Sequence, residues 1–498
     1  MSDETFQNFP VPGSDAKKAN ESYDLIILGA GPAGLSSAFF LSEEISRAVE
    51  AKKENNIKIL ILEKDSQSVG GLAKTVWHEG FGFDIGGHRF HAEKSWIKNF
   101  WISNLEGKFL YSQRKSSIYF DDSFIDYPLR AFNSFLKLGP FRALQCLFSY
   151  LNAKFLTKKE ISNFESWMVR NFGRKLYRIF FKDYTEKILG ISTTQLSVDW
   201  ARERIGKFSL GMSLSKIFPF YKKRARTESA NFLYPPRGPG QFWLSLQKRL
   251  TKRGVEITLG QKVTSLNVTS GKVIQVRTKD GKLFQGQHVL NTLPLSILAR
   301  ILGDDEQLKK HCSQLKYRHF LTVNLIFKGN FKRSDQWIYI QDKEYQIARI
   351  QNPKAWSNNL CPHDDYYTLS CEIFCSSNDG NWVSPDERLI QLALDELEEL
   401  RLVKGQKTFV DGFVRRYPNA YPIYDLDYKQ KRQKILKHLT QTYPKIMTVG
   451  RGGSHSYQNQ DHVLEDAKGW AKEFCQTFVE NSWKKEDQSS VIKNTLSI

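Results

Sequence analysis

The stretch that decides the fold of this chain is Tyr23–Gly34, which reads YDLIILGAGPAG. Its first half, Tyr23–Leu28, is an apolar run typical of a buried strand. The loop Gly29-Ala30-Gly31-Pro32-Ala33-Gly34 follows, and a helix is predicted from Pro32 to about Asn55. A glycine loop between a strand and a helix brings backbone N–H groups close to a pyrophosphate. The stretch therefore predicts the opening of a dinucleotide-binding α/β unit.

A second apolar run, Ile57–Leu62, ends on the pair Glu63-Lys64. In dinucleotide-binding folds an acidic residue at this place binds a ribose hydroxyl, so we expect that role for Glu63. Glu63 lies 29 residues after Gly34, which is longer than the usual spacing. The polar stretch Glu50–Asn56 accounts for the difference as a lengthened helix and loop.

Two further glycine segments favour a flavin over a nicotinamide cofactor. Gly70-Gly71-Leu72 follows the acidic residue, and Gly86-Gly87-His88 comes next. A domain that binds only NAD does not need two further segments whose backbone approaches the cofactor closely. A domain that binds a long flavin lying across the sheet does need them. The pattern resembles the superfamily of amine oxidases and protoporphyrinogen oxidases, which bind FAD. By this resemblance Val263, in a strand segment Gly260–Val263, contacts the adenine side, and Gln287–Pro294 returns to the FAD-binding domain.

Composition indicates a globular chain that prefers anionic partners. The chain has 498 residues, of which 40% are hydrophobic and 13% aromatic, enough for about three domains. Lys and Arg number 73 against 53 Asp and Glu, giving a net charge of +20. This excess favours an anionic partner, which could be nucleic acid, a membrane surface or a phosphorylated substrate, or it reflects only a solvated basic surface. The densest basic cluster, Lys222–Arg226, lacks the pattern of a nucleic-acid module, so no nucleic-acid partner is expected.

The remaining sequence features bear on the cellular compartment, on membrane insertion and on metal binding. Six scattered cysteines without CxxC spacing indicate a reduced compartment. The N-terminus has no apolar signal segment, and glycines interrupt the longest apolar stretch, Leu25–Leu41. We therefore expect a cytoplasmic protein without stable membrane insertion, and its oligomeric state stays open. His455 and His462 flank Asp461 without an obvious further ligand, so no metal site is predicted.

Several spaced blocks resemble UDP-galactopyranose mutases, especially the eukaryotic type. These blocks are Tyr184–Gly190, Trp200–Arg204, Tyr234–Gly240, Arg415–Pro422 and Gly450–His462. The resemblance covers most of residues 23–480. It implies an α/β fold in which an FAD-binding Rossmann-like domain carries an inserted helical domain and an antiparallel β-sheet domain. We expect tails at 1–22 and 481–498, FAD-binding segments at 23–102, 231–300 and 431–480, sheet-domain segments at 103–128 and 301–430, and a helical domain at 129–230.

The resemblance also implies roles for individual residues. Arg204 and Arg349 are expected to bind a substrate diphosphate together with Tyr421 and Tyr457, since arginines bind phosphate in bidentate fashion. His88 is expected against the flavin ring, and Asn231 near the nucleotide base. Gly450, Arg451, Asn459, Gln460 and Asp461 are expected beside the flavin and its ribityl or pyrophosphate chain. Salt-bridged arginines, core tyrosines and a loop-capping histidine are the ordinary structural alternatives.

Some residues depart from the mutase pattern. Arg89-Phe90-His91 stands where the mutases are more apolar. Arg114, Tyr119 and Asp126–Leu129 fit a bacterial group of mutase-like oxidoreductases whose substrates are often unassigned. The nucleotide and the sugar are therefore not predicted.

Three functions follow from these patterns. The first is interconversion of pyranose and furanose forms of a nucleotide sugar through an adduct at N5 of reduced FAD, with NAD(P)H as reductant, for cell-surface polysaccharide biosynthesis. The alternative is an FAD-dependent oxidoreductase of the amine oxidase or protoporphyrinogen oxidase type. A flavin-bound basic protein without catalysis is the third.

Overall fold

The computed structural model describes residues 22–50, 57–127, 139–156, 160–205, 231–269, 273–404 and 406–479. Two seven-stranded sheets organise the chain, and the predicted mixed α/β class is confirmed. The tails, the basic cluster Lys222–Arg226 and the side chain of Asn231 lie outside what the structure describes. Within the described ranges, no helix combines the length and the apolar character needed to cross a bilayer.

The first sheet is built around the strand that the opening motif predicts. Its order is Val263–Thr269, Val273–Thr278, Leu283–Asn291, Ser22–Leu28, Ile59–Leu62 and Glu256–Thr258, and Ile446–Thr448 pairs with Leu283–Asn291. Ser22–Leu28 pairs in parallel with both of its neighbours, so Leu28 and Leu62 end at the same edge. That edge carries Gly29 and Glu63.

Helices cover both faces of this sheet, as a parallel sheet requires. Alternate residues of Ser22–Leu28 belong to opposite cores, with Leu25 and Ile27 on one side and Ile26 and Leu28 on the other. The first core includes the helices Pro32–Glu50, Ser95–Asn104, Gly240–Lys252 and Gln460–Phe474. The second includes Leu295–Ile301, Glu306–Ser313 and Tyr428–Thr442.

The second sheet forms a wall opposite that edge. Its order is Phe409–Pro422, Tyr317–Lys328, Tyr366–Cys375, Ile347–Gln351, Trp337–Ile340, Ser116–Phe120 and Ser123–Tyr127. All its pairs are antiparallel except Trp337–Ile340 with Ser116–Phe120. The helix Asp386–Glu399 packs on one face. Side chains of the other face, including Phe320 and Tyr421, pack against the helical unit.

The helical unit and two small sheets complete the architecture. The helices are Pro140–Leu151, Phe164–Phe172, Arg174–Tyr177, Asp183–Leu189 and Val198–Ile205. Thr75–His78 pairs with Phe81–Asp84, and Leu110–Gln113 pairs with Asn231–Tyr234. Three short helices, Pro353–Trp356, Gly380–Val383 and Gly450–Gly453, lie in connections.

Several observed boundaries of helices and strands differ from the predicted ones. The first helix covers Pro32–Glu50, and its predicted end near Asn55 lies outside the described residues. The second strand begins at Ile59 rather than Ile57. Gly260–Lys262 precedes the strand in which it was predicted, since that strand starts at Val263. The sheet-domain boundary predicted at 301 falls inside the helix Leu295–Ile301, which packs on the first sheet. The second sheet resumes only at Tyr317, because buried leucines tie both intervening helices to the first sheet.

Candidate active site

One cavity of about 3170 Å³ lies between the edge of the first sheet, the inner face of the second sheet and the helical unit. Pockets for single small molecules are usually about 300–1,000 Å³, so this cavity has room for a cofactor and a substrate together. Most of the predicted site residues line it, namely Gly29, Gly31, Pro32, Ala33, Glu63, Lys64, Gly71, Leu72, Gly87, His88, Arg204, Val263, Arg349, Tyr421, Arg451, Tyr457, Asn459, Gln460 and Asp461.

Three predicted cofactor residues, Gly34, Gly70 and Gly450, are not among the lining residues and have structural reasons to be glycine. A Cβ on Gly34 would lie 2.0 Å from the Gly29 carbonyl oxygen. A Cβ on Gly450 would lie 2.4 Å from the Cβ of Ala33, and Gly70 has a φ of +107°. These residues allow the close backbone packing that supports the lining residues.

The glycine cradle, which we define as Gly29–Gly34 with Gly70–Leu72, presents backbone to the cavity. A hydrogen bond of 2.8 Å from the Gly70 N–H to the Ala30 carbonyl joins its two segments. A Cβ on Gly31 would have only the Cα of Gly71 within 4 Å, at 3.8 Å. Gly31 therefore borders open space at the N-terminus of the helix Pro32–Glu50, as a pyrophosphate-binding loop requires.

Glu63 is fixed beside the cradle by backbone donors. One carboxylate oxygen accepts a hydrogen bond from the Ala30 N–H at 2.8 Å, and the other accepts from the Asp65 N–H at 2.9 Å. Each carboxylate oxygen has a second lone pair. Glu63 lines the cavity, so it is placed to accept further hydrogen bonds from ribose hydroxyls.

A third segment closes the cradle from the C-terminal side. Arg451 donates to the Gln458 carbonyl oxygen from Nε at 3.1 Å and from Nη2 at 2.6 Å. Gln460 begins the helix Gln460–Phe474, and its buried Oε1 and Nε2 have no hydrogen-bond partner among the described residues. Buried polar atoms without partners are costly, so they indicate a polar ligand. Together with the cradle and Glu63, these residues fit FAD.

His88 lies where the cradle meets the second sheet. Its Nδ1 is 2.9 Å from the Gly86 carbonyl oxygen, which assigns the proton to Nδ1 and leaves Nε2 as an acceptor. Burial and the positive charges of Arg451 and Arg349 lower the pKa of His88 to about 4. The preceding Gly87 accommodates Trp337, because a Cβ there would lie 2.5 Å from the indole ring. His88 is therefore a neutral side chain near neutral pH.

We call Arg204, Arg349, Tyr421 and Tyr457 the clamp. Arg204, on the helix Val198–Ile205, donates from Nη1 to the Tyr457 hydroxyl at 2.7 Å. Arg349, on the strand Ile347–Gln351, donates from Nη2 to the Tyr421 hydroxyl at 3.0 Å. The two tyrosine rings stack with centroids 5.7 Å apart. Four separate segments of the chain thus bring the predicted diphosphate residues together.

The clamp is electropositive. Arg451 lies 4.6 Å from the Tyr457 ring centroid, and Arg204 lies 4.4 Å from it. Although burial raises the pKa of Tyr457, the charges of Arg204, Arg451 and Arg349 together lower it below its usual value. The cluster therefore stabilises negative charge at this point of the cavity.

Glu372 is a clamp partner that the sequence analysis missed. Its fully buried carboxylate pairs with Arg349 and accepts a hydrogen bond of 2.9 Å from Gln351. Burial raises the pKa of Glu372, and Arg349 opposes this effect. The sequence did carry a signal for it, because Glu372 is the one acidic residue in the apolar strand Tyr366–Cys375. Among the residues the structure describes, no three His, Cys, Asp or Glu side chains gather as a metal site.

Comparison with known proteins identifies the family and supports the fold. Residues 32–459 match the family described as flavin containing amine oxidoreductase. The coproporphyrinogen III oxidase of Bacillus subtilis is 22% identical, over 88% of this chain and 94% of that protein. That of Staphylococcus aureus is 21% identical, over 85% and 93%. The structure of reduced UDP-galactopyranose mutase is similar with a TM-score of 0.77 and 18% identity, covering 91% of this chain and 94% of the mutase.

Proposed function

This chain belongs to the flavin containing amine oxidoreductase family as an FAD-binding enzyme, and we propose that it acts as a mutase on a nucleotide sugar. The reaction would interconvert the pyranose and furanose forms, with FAD in its reduced form and NAD(P)H as the reductant. The observation that carries this proposal is the clamp. Two arginine–tyrosine pairs meet in the cavity that the cofactor residues also line.

The chemistry of the clamp suits a diphosphate. Arg204 donates to a tyrosine and has no carboxylate ion-pair partner in the described part of the chain, so its remaining donors can bind phosphate oxygens. The Nε of Arg349 is buried and finds no hydrogen-bond partner in the described part of the chain. Charge-assisted hydrogen bonds are each worth roughly 1.5–3 kcal/mol. A diphosphate between the arginines would gain several such bonds.

The residues around the clamp would position the sugar over the cofactor. When bound, FAD supplies an electron-rich or electron-accepting ring nitrogen. His88, neutral near pH 7, would offer a hydrogen-bond acceptor close to that ring without adding charge. The clamp would hold the diphosphate while its bond to the sugar is broken, so that the same group is available when the bond re-forms.

A second candidate is oxidation of a carboxylate-bearing substrate. The size of the cavity and the two coproporphyrinogen III oxidases favour it. A tetrapyrrole with several carboxylates would also contact several arginines. Here the enzyme would remove hydride with oxidised FAD and would consume one acceptor per turnover.

A redox test separates the two candidates. Enzyme reduced with dithionite or NAD(P)H is incubated under nitrogen with UDP-, GDP- and dTDP-sugars, and the products are separated by chromatography. We expect pyranose–furanose interconversion over many turnovers without further reductant, and none with oxidised enzyme. Arg204→Ala should lose the reaction, whereas Arg142→Ala, an exposed arginine paired with Asp121, should keep it. In a parallel incubation of oxidised enzyme in air, oxidation of coproporphyrinogen III with one O2 reduced to hydrogen peroxide for each two electrons removed, together with no sugar isomerised by reduced enzyme, would favour the oxidase.

A further inference from the structure

Arg89 and Arg114, which we call the arginine pair, line the same cavity without belonging to the clamp. Arg114 follows the strand Leu110–Gln113, and its guanidinium lies 4.3 Å from the ring centroid of Tyr127. Its Nε is buried and has no hydrogen-bond partner within the ranges that the structure describes. Arg89 follows His88, and its guanidinium lies 5.8 Å from the ring centroid of Phe232. Both guanidinium groups thus contact aromatic rings.

The arginine pair has no carboxylate counter-ion in the part of the chain that the structure describes. Across the described ranges, no carboxylate lies within ion-pair distance of either guanidinium. Burial lowers the pKa of Arg89, and the charges of Arg114 and Arg204 lower it further. Two like charges held together in a partly buried cavity are unfavourable unless an anion joins them. An anionic ligand between the two guanidinium groups would compensate both charges.

An aromatic wall separates the arginine pair from Arg349 of the clamp. The Tyr127 and Tyr339 ring centroids are 5.1 Å apart, and those of Tyr339 and Trp337 are 5.5 Å apart. Arg114 lies against the Tyr127 end, and Arg349 lies 5.3 Å from the Trp337 centroid at the other end. Such a wall fits a ring-shaped group with one anionic substituent held at each end.

We propose that the arginine pair is a second anion subsite, which binds a carboxylate on the sugar of a nucleotide-activated sugar acid. This inference rests on the proposed nucleotide-sugar function and narrows its substrate class. The clamp binds the diphosphate, the aromatic wall contacts the sugar ring, and the arginine pair binds the acid group. A planar carboxylate matches the planar donor face of a guanidinium.

The subsite also accounts for the departure of this chain from the mutase pattern. Arg89 and Arg114 both belong to the segments noted above as departing from the expected mutase pattern. A neutral sugar would leave both charges unpaired. An acidic sugar neutralises one of them and shares hydrogen bonds with both.

Binding of paired ligands tests the inference. UDP, UDP-glucose and UDP-glucuronate are titrated calorimetrically into the FAD-loaded protein. We expect UDP-glucuronate to bind at least about 10-fold more tightly than UDP-glucose, equivalent to about 1.4 kcal/mol. Arg114→Gln and, as a second variant, Arg89→Gln should abolish this preference and keep UDP affinity. Arg142→Ala, away from the cavity, should retain it.

Nucleotide-free ligands identify the second anion. Glucuronate 1-phosphate should bind more tightly than glucose 1-phosphate, and Arg114→Gln should remove the difference. Preference for glucose 1,6-bisphosphate without preference for glucuronate 1-phosphate would overturn the assignment to a carboxylate. Equal binding of UDP-glucose and UDP-glucuronate would overturn the subsite itself. If UDP binding were instead indifferent to Arg204→Ala, the nucleotide-sugar proposal would fail, whatever the arginine pair does.

Discussion

The glycine cradle and the clamp face the same cavity but are built in different ways. The cradle consists of backbone from two segments, a strand–loop–helix unit and a loop that follows it. Gly31 and Gly71 bring the two segments into contact. The clamp consists of side chains from the helix Val198–Ile205, the second sheet and the segment around Tyr457. The cradle is therefore sensitive to any added side chain that would fill the ligand's space. The clamp is instead sensitive to the loss of a charge that compensates another charge.

The largest expected effect concerns the cradle. A valine at position 31 would meet little protein, because only the Gly71 Cα lies within 4 Å of the new Cβ. It would occupy the space next to the helix N-terminus instead, so Gly31→Val should fold and lose FAD. Flavin absorbance of the purified protein measures this loss. Gly469→Val, at an exposed helix position with open space, is the matched control and should retain FAD.

Glu372 shows how much the clamp depends on charge compensation. Glu372→Gln leaves the buried Arg349 without its carboxylate, which should destabilise the ligand-free protein by about 3 kcal/mol. UDP should bind more tightly to this variant, because its phosphates replace the missing charge. Denaturant unfolding with and without UDP measures both changes. An unchanged free energy of unfolding would contradict the view that this pair is a buried, compensated one.

Loss of one clamp arginine should weaken substrate binding and spare the cofactor. Arg204→Ala removes a charged contact worth roughly 1.5–3 kcal/mol. UDP affinity should therefore fall by about 10- to 150-fold, with the FAD content unchanged. Calorimetric titration against Arg142→Ala as control gives the ratio. Concurrent loss of FAD in Arg204→Ala would mean that the two sites are not separable.

The smallest expected effect is in the pH dependence of stability. The pKa of His88 is about 4, below the usual value of 6.5, so the folded protein favours the neutral ring. This stability is present above pH 6.5 and is lost as the pH falls towards 4. Between pH 7 and pH 5 the free energy of unfolding should fall by about 1–2 kcal/mol because of His88, and this fall should be absent in His88→Gln. Thermal unfolding at several pH values measures the difference between the two proteins. The exposed His363→Gln should follow the wild-type curve.

The same contrast explains what the sequence could predict. Glycine spacing after an apolar strand defines the cradle locally, and the parallel pairing of Ser22–Leu28 with Ile59–Leu62 brings Glu63 to it as predicted. Glu372 was missed, because its partner Arg349 lies on a neighbouring strand and only strand register joins them. Arg89 and Arg114 were noted only as departures, since the aromatic wall that places them comes from distant segments.

The central claim is that a diphosphate clamp and an FAD site meet in one cavity. Titration of UDP into the FAD-loaded protein, followed by the visible absorption of the flavin, tests it directly. We expect a saturable change in the flavin spectrum with one UDP per FAD, and loss of that change in Arg204→Ala at unchanged FAD content. A flavin spectrum that saturating UDP leaves unaltered, or that responds equally in Arg204→Ala, would contradict it.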